Sequence, residues 1–210
     1  MLKRIVLPVI FLLLFIPFRS LAVRQGNSEI FVSAGYFSYD EFKGLFDAWN
    51  SYADPFAWPD KQTGAIFVYY QYFVTDNIGI GFAAGYDNQQ GTLSTGDERS
   101  TGHTPQNIGR YDRRATTFAP EIFYKYYGWK GGMVYGTAGI GYTSLKTYYN
   151  YDPGTVSYYG NAYKSYSEDK SHWNAHITYF GIRLGTTIAW NLEFGFGYKG
   201  MISTGLSLKI

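Results

Sequence analysis

Residues 78–87 read IGIGFAAGYD. Ile78, Ile80, Phe82, Ala84 and Tyr86 share one parity, and Gly79, Gly81, Ala83, Gly85 and Asp87 share the other. Successive side chains of a strand point to opposite faces of the sheet, so this segment is a strand with one large apolar face and one small or polar face. That division suits a narrow membrane-spanning barrel, with lipid outside and a tight lumen inside. The opposite assignment is a secreted barrel of lipocalin type with an apolar interior. It requires Lys and Glu on the solvated face, where this chain has Gly, Ala, Ser and Thr.

Working outward, the same alternation gives eight strands over about 29–38, 63–74, 78–88, 115–127, 132–145, 175–188, 192–199 and 201–210. Short connections are expected at Thr75-Asp76-Asn77, Gly128 to Gly131 and Ala189-Trp190-Asn191, where Asp, Asn and Gly supply turn geometry. Long ones cover 39–62, 89–114 and 146–174, and a tight hairpin falls near Lys199-Gly200. Short and long connections alternate along the chain, which places all the long ones on one side. The expected fold is all-β: a closed eight-stranded antiparallel up-and-down transmembrane β-barrel with short periplasmic turns and long extracellular loops.

Parity assigns the lipid face to Ile66, Val68, Tyr70, Tyr72 and Val74; to Phe118, Pro120, Ile122, Tyr124 and Tyr126; to Phe180, Ile182, Leu184, Thr186 and Ile188; to Leu192, Phe194, Phe196 and Tyr198; and to Ile202, Thr204, Leu206, Leu208 and Ile210. Pro120 removes a ladder donor, so a bulge is expected there. Tyr72, Tyr124, Tyr126, Trp129 and Trp190 gather near the short turns and read as a periplasmic aromatic girdle. Tyr36, Tyr39, Tyr86, Tyr142 and Tyr198 read as the outer one. Inward positions are mostly small, with Glu121, Lys125, Arg183 and Glu193 as the charged exceptions. Four such charges in a narrow bore read either as a structural plug of salt bridges or as a gate in an ion path.

The first 22 residues carry a basic start (Lys3, Arg4), an apolar run from Ile5 to Phe18 and a small-x-small site at Ser20-Leu21-Ala22. They read as a secretory signal peptide, leaving 23–210 as one outer-membrane barrel domain. The leader holds three of the 18 basic residues and none of the 16 acidic ones. Without it the balance is 15 to 16, so no basic surface remains for nucleic acid. The chain has no Cys, which excludes disulfides and a lipid-anchored cysteine. Aromatics make up 20% of the residues and charges only 16%, against about 25% charged in ordinary soluble domains.

The long connections differ in character. Phe42, Leu45, Phe46 and Trp49 have helical spacing, so a short amphipathic helix is expected over 40–50. The third connection is rich in Tyr: Tyr148, Tyr149, Tyr151, Tyr158, Tyr159, Tyr163 and Tyr166. It reads either as a recognition surface or as two strands continuing above the membrane as a ribbon. The histidines are His103, His172 and His176, too scattered for a metal site. No cofactor motif is present, and no enzyme activity is expected.

As a set, the strand–loop rhythm and the final hairpin LEFGFGYKGMISTGLSLKI (192–210) resemble the small eight-stranded outer-membrane β-barrel proteins, the class of the OmpA transmembrane domain, OmpX and OmpW. The resemblance implies residence in the outer membrane among lipid and lipopolysaccharide. It also implies insertion by the barrel-assembly machinery, which reads an alternating last strand; Leu206, Leu208 and Ile210 fit that alternation, with Ile210 where an aromatic is usual. Opposed Glu, Lys and Arg in the lumen are also typical of the class. Relatives that modify lipids depart from this chain. The lipid A deacylase barrels set His and Ser two positions apart, where His176 is followed here by Thr178 and His172 by Asn174. The expected function is a non-enzymatic scaffold that presents its loops to a surface protein or glycan, in adhesion for example. The alternatives are a small channel for ions or apolar molecules and, further off, a lipid-modifying enzyme.

Overall fold

The computed structural model describes residues 24–37, 56–62, 64–95, 106–154 and 164–210. The leader over 1–22, the helix over 40–50, Tyr39, His103, Tyr158, Tyr159 and Tyr163 lie outside the described residues. The strands are β1 (Ser28–Tyr36), β2 (Phe56–Gln62), β3 (Ala65–Phe73), β4 (Ile78–Thr95), β5 (Gln106–Trp129), β6 (Gly132–Tyr151), β7 (Tyr166–Gly185), β8 (Ile188–Gly197) and β9 (Ile202–Lys209). No helix among the described residues is long and apolar enough to cross a membrane.

All neighbours pair antiparallel. β1 lies between β3 and β9, the ladder continues through β8, β7, β6 and β5, and the β4–β5 pairing returns it to β3. Eight strands thus close in a ring in which every barrel strand has two partners, which removes the edge problem inside lipid. β2 stands outside the ring, paired to the far half of β4 from Phe56↔Ser94 to Gln62↔Gln89.

Strand length divides the ring in two. β1, β3, β8 and β9 have 9, 9, 10 and 8 residues, close to the 9–11 or so that a tilted strand needs to cross a bilayer. β4, β5, β6 and β7 have 18, 24, 20 and 20. Their excess stands above the rim as a sheet, with β2 along one side. The segments 56–62, 89–95 and 106–114, expected as loop, are therefore strand, and 146–151 and 166–174 form the ribbon that the Tyr-rich connection offered as one of its two readings. Their polar residues hid this, because neither face carries an apolar alternation. The cross-strand ladder holds them, helped by a small cluster of Leu93, Ile108 and Tyr111.

Two further corrections concern turns and bulges. The β7–β8 turn is Thr186-Thr187, not Ala189-Trp190-Asn191; Thr186 N–H donates to Ile188 O at 3.2 Å. Trp190 is inside β8, between Leu184 and Leu206. Pro120 causes no bulge: Phe118↔Tyr142 and Glu121↔Gly139 share one register. Within the ring the bulges fall at Tyr126 of β5, between Lys125 and Tyr127, and at Tyr179 of β7, between Thr178 and Phe180; two further register shifts lie above the rim, between Pro59 and Lys61 and between Leu93 and Ser94. A bulge inserts one extra residue, so two successive side chains leave on the same side. Tyr126 with Tyr127, and Tyr179 with Phe180, are accordingly all exposed.

The lumen is not mostly small. Phe31, Phe67, Tyr69, Phe73, Phe123 and Tyr135 point inward and are buried. Phe31 stacks on Tyr69 at 4.8 Å between ring centres, and Phe123 on Tyr135 at 4.6 Å. Small residues on neighbouring strands make room for them. A Cβ at Gly85 would lie 2.2 Å from the Phe67 ring.

Candidate functional site

Two layers of ionic groups cross this aromatic lumen. Nearer the short turns, Glu29 of β1 pairs with Arg183 of β7, both side chains 1% exposed. Gln71 Nε2 donates to Glu29 Oε2 at 2.9 Å. The guanidinium also donates to the carbonyls of Gly185 and Thr186 at 2.8 and 2.9 Å, so Arg183 anchors the turn that follows it.

The second layer gathers around Lys199. Its Nζ lies 2.9 Å from Glu121 Oε2, 3.9 Å from Glu193 Oε2 and 4.2 Å from the centre of the Tyr69 ring. Tyr198 OH donates to Glu121 Oε1 at 2.6 Å, while Tyr135 OH and Ser203 Oγ donate to Glu193 at 3.0 and 2.9 Å. Each carboxylate of this layer thus has a cation and at least one hydroxyl, the condition under which charge persists in a dry interior. The cavity left among these groups has a volume of about 20 Å³, room for about one water.

Of the four charges expected inside, Glu121, Arg183 and Glu193 are at inward positions in the structure. Lys125 is nearer the β3–β4 turn, partly covered, with its N–H on Asn77 O. The cation beside Glu121 is Lys199 instead. Sequence reading missed Lys199 by placing it in a solvent-facing hairpin, and it carried Tyr198 outward to the lipid face and outer girdle. Tyr198 is inward and buried. The cause is Gly197, whose φ of +134° breaks the alternation at the end of β8 and turns the next two side chains into the bore. The signal was the Gly197 and Gly200 pair bracketing them. Glu29 was readable from the outward set Ile30, Val32 and Ala34 on its own strand.

A belt of hydroxyls and amides runs beside and above the Glu121 row. Thr117 and Thr143 are 2.7 Å apart, Asn174 Nδ2 donates to Thr143 at 2.6 Å, and Thr137 donates to Thr178 at 2.9 Å. His176 Nε2 lies 3.1 Å from Thr178 Oγ1. Imidazole beside hydroxyl is the first requirement of nucleophilic chemistry. Both are buried here, and among the described residues Nδ1 has no hydrogen-bond partner to orient the ring. No group of three or more metal-ligating side chains occurs among the described residues.

The outside is the reverse of the inside. Val32, Ile66, Val68, Ile80, Phe82, Phe118, Ile122, Ile140, Ile177, Phe196, Leu206 and Leu208 are all exposed around the ring. Water-soluble monomers rarely expose contiguous apolar patches larger than a few hundred Å². Charge within and a continuous apolar belt without admit one solvent for the wall, a bilayer. The chain is a small membrane-spanning β-barrel.

The expected girdle residues Tyr72, Tyr124, Tyr126, Trp129 and Trp190 all stand in strands, near the short-turn ends of β3, β5 and β8. Tyr124 and Tyr126 have ring centres 5.6 Å apart, and Trp129 is 6.1 Å from Tyr127, which parity missed because of the bulge. At the other end Tyr36, Tyr86 and Tyr142 are exposed, joined by Trp173, 72% exposed, with its ring against Tyr142 at 5.3 Å. Leu206, Leu208 and Ile210 all face outward at the end of the chain.

No protein-family model and no curated protein sequence matches the barrel. Among solved structures, it is similar to two of Ail, the attachment invasion locus protein of Yersinia pestis, one of them in complex with the heparin analogue sucrose octasulfate. Identities are 12% and 11%, each covering 88% of this chain and 95% of Ail, with a TM-score of 0.39. So loose a likeness carries no functional argument, and the barrel rests on its own strand pairing and apolar belt.

Proposed function

We propose that the protein is a non-enzymatic outer-membrane scaffold that holds a raised β-sheet above the cell surface to contact a surface protein or glycan. The observation that carries this reading is the contrast between bore and rim. The bore is filled by aromatic rings and two ionic layers, leaving a cavity of about 20 Å³, whereas half the wall continues into β2 and the outer halves of β4 to β7. A filled lumen supports a plug over a gate, because Glu121, Glu193 and Lys199 hold one another rather than line a path. In this reading 1–22 is the export signal, Tyr72, Tyr124, Tyr126, Trp129 and Trp190 anchor the periplasmic interface, and Leu206, Leu208 and Ile210 present the last strand to the assembly machinery.

Replacing 89–113 and 147–168 by Asn-Gly turns tests it. The trimmed chain keeps heat-modifiable migration and its place in the outer membrane, while intact cells expressing it no longer adhere to glycan- or protein-coated surfaces that retain the full chain. Equal adhesion by both forms refutes the reading. So does a steady single-channel current from the full chain in planar bilayers, which would favour the conduit.

A further inference from the structure

The outer face of β5, β6 and β7 is arranged in rows. Moving upward, Ile122, Ala138 and Ile177 stand side by side, and Ile140 and Ala175 are paired one row above, level with Pro120. Next come Phe118, Tyr142 and Trp173; then Thr116, Ser144 and Ser171; then Arg114, Lys146 and Asp169. This order of aliphatic, aromatic, hydroxyl and charged rows follows the depth profile of one leaflet, from acyl chain through interface to headgroup.

Two rows depart from a plain lipid-facing wall. In the aliphatic rows the short side chains of Pro120, Ala138 and Ala175 leave a groove of about 1240 Å³, flanked by Phe82, Ile122 and Trp173. That exceeds the roughly 300–1,000 Å³ of most small-molecule sites. In the charged row, Arg114 and Lys146 stand directly opposite each other. Like charges at opposed positions destabilise a bare sheet. Both lie over the Tyr148 ring, at 5.4 and 5.5 Å, and both side chains are half exposed. Asp112 holds Arg114 at 2.6 Å and Asp169 lies 3.8 Å from Lys146, which orients the two cations on the same face. They are four residues above the aromatic row, about 10 Å along the membrane normal for a strand tilted near 40°.

We propose that this face docks one phosphate-bearing, multiply acylated amphiphile, with its chains in the groove and its phosphate on Arg114 and Lys146. The proposal rests on the outer-membrane orientation above and specifies the partner of its lipid side. The chemistry is that of the lipopolysaccharide anchor. Acyl chains alone need no cations, and a free phosphate needs no groove. Asp112 and Asp169 already compensate the two cations, and both side chains stay half exposed, so a phosphate would add charge-assisted contacts on their free side.

The test uses the full chain folded in uncharged detergent micelles, titrated with purified diphosphorylated lipid A and followed by Trp173 fluorescence, with Trp173→Phe as the signal control. Saturable binding is expected. Arg114→Gln with Lys146→Gln should weaken it about 30-fold, the effect of two cations near an anionic interface, while leaving affinity for dephosphorylated lipid A unchanged. Ala175→Phe, which fills the groove, should weaken both lipids at least tenfold. Inorganic phosphate should not compete. Equal affinity for zwitterionic phospholipid, no effect of the charge pair, or a change of oligomeric state by Ala175→Phe without loss of lipid would each overturn the proposal. Heat-modifiable migration of every variant keeps failure of the site distinct from failure of the barrel.

Discussion

Lys199→Met removes the charge that serves two buried carboxylates while keeping most of the apolar stem. In the native lumen Nζ is 2.9 Å from Glu121, 3.9 Å from Glu193 and 4.2 Å above the Tyr69 ring, and the residue is 1% exposed. Deleting one partner of a buried pair costs about 3–5 kcal/mol, because the other charge is left uncompensated. The cation–π contact, about 1–2 kcal/mol when desolvated, overlaps with that figure and is not added to it. The expected loss is about 4 kcal/mol, nearly a thousandfold in the folded-to-unfolded ratio. The two carboxylates are not equivalent. Glu193 keeps Tyr135 and Ser203 as donors, and the five ionic groups named in the lumen comprise three acids and two bases. Glu193→Gln should therefore change stability by less than about 1 kcal/mol, and Glu121→Gln by about 2 kcal/mol or more. Lys199→Met combined with both Gln substitutions should recover most of the loss, since neutral replacement of a buried ionic cluster is close to neutral. Reversible urea unfolding in micelles, followed by tryptophan fluorescence, measures each value. A loss below about 1 kcal/mol for Lys199→Met, or a triple variant no better than the single, would refute the reasoning.

Further outcomes follow from other sites. Arg183→Met strands Glu29 with Gln71 alone and frees two turn carbonyls; a loss of about 3–5 kcal/mol in the same unfolding assay is expected. Gly85→Val drives a side chain into the Phe67 ring; overpacking of this kind costs about 1–3 kcal/mol, and Phe67→Ala in the same chain should return part of it. Ile210→Phe restores an aromatic at the end of the final strand and should raise the fraction of chain assembled in the outer membrane, read as the heat-modifiable band in membrane extracts. Limited proteolysis of intact cells should cut the raised parts of β4 to β7, within 89–95, 106–114, 146–151 or 166–174, before any position in β1, β3, β8 or β9, since those strands end at the rim.

Much of the wall was legible because period two is visible wherever one face meets lipid. The outward sets of β3, β4 and β9 and the β3–β4 turn at Thr75-Asp76-Asn77 needed nothing but parity and turn chemistry. Legibility failed where another constraint replaced lipid. Above the rim, Gln89, Gln90, Thr92 and Arg110 to Arg114 have no apolar face to alternate, and only pairing with distant strands makes them regular. At Tyr126, Tyr179 and Gly197 a bulge or a left-handed glycine shifts the count by one; the shift at Gly197 reversed Tyr198, and that at Tyr126 hid the exposure of Tyr127. The ionic lumen was half readable for that reason. Glu121, Arg183 and Glu193 lie in stretches where the parity count holds, whereas Lys199 and Tyr198 lie beyond such a shift. The aromatic filling was legible in position but not in kind, because a large ring on one strand is allowed only by a glycine on the next.

The uneven wall gives the molecule a front and a back. Where β8, β9, β1 and β3 stop at the rim, the described strands form no wall above the level of the headgroups, and the tall strands stand opposite as a screen. A long polymer lying flat on the cell would meet the flat of the screen from one direction and its edge, at β2, from another. A large neighbour pressing on the tall side would meet its reverse, just above the lipid. Rotation about the membrane normal, to which a symmetric tube is indifferent, would then decide which contacts this protein can make.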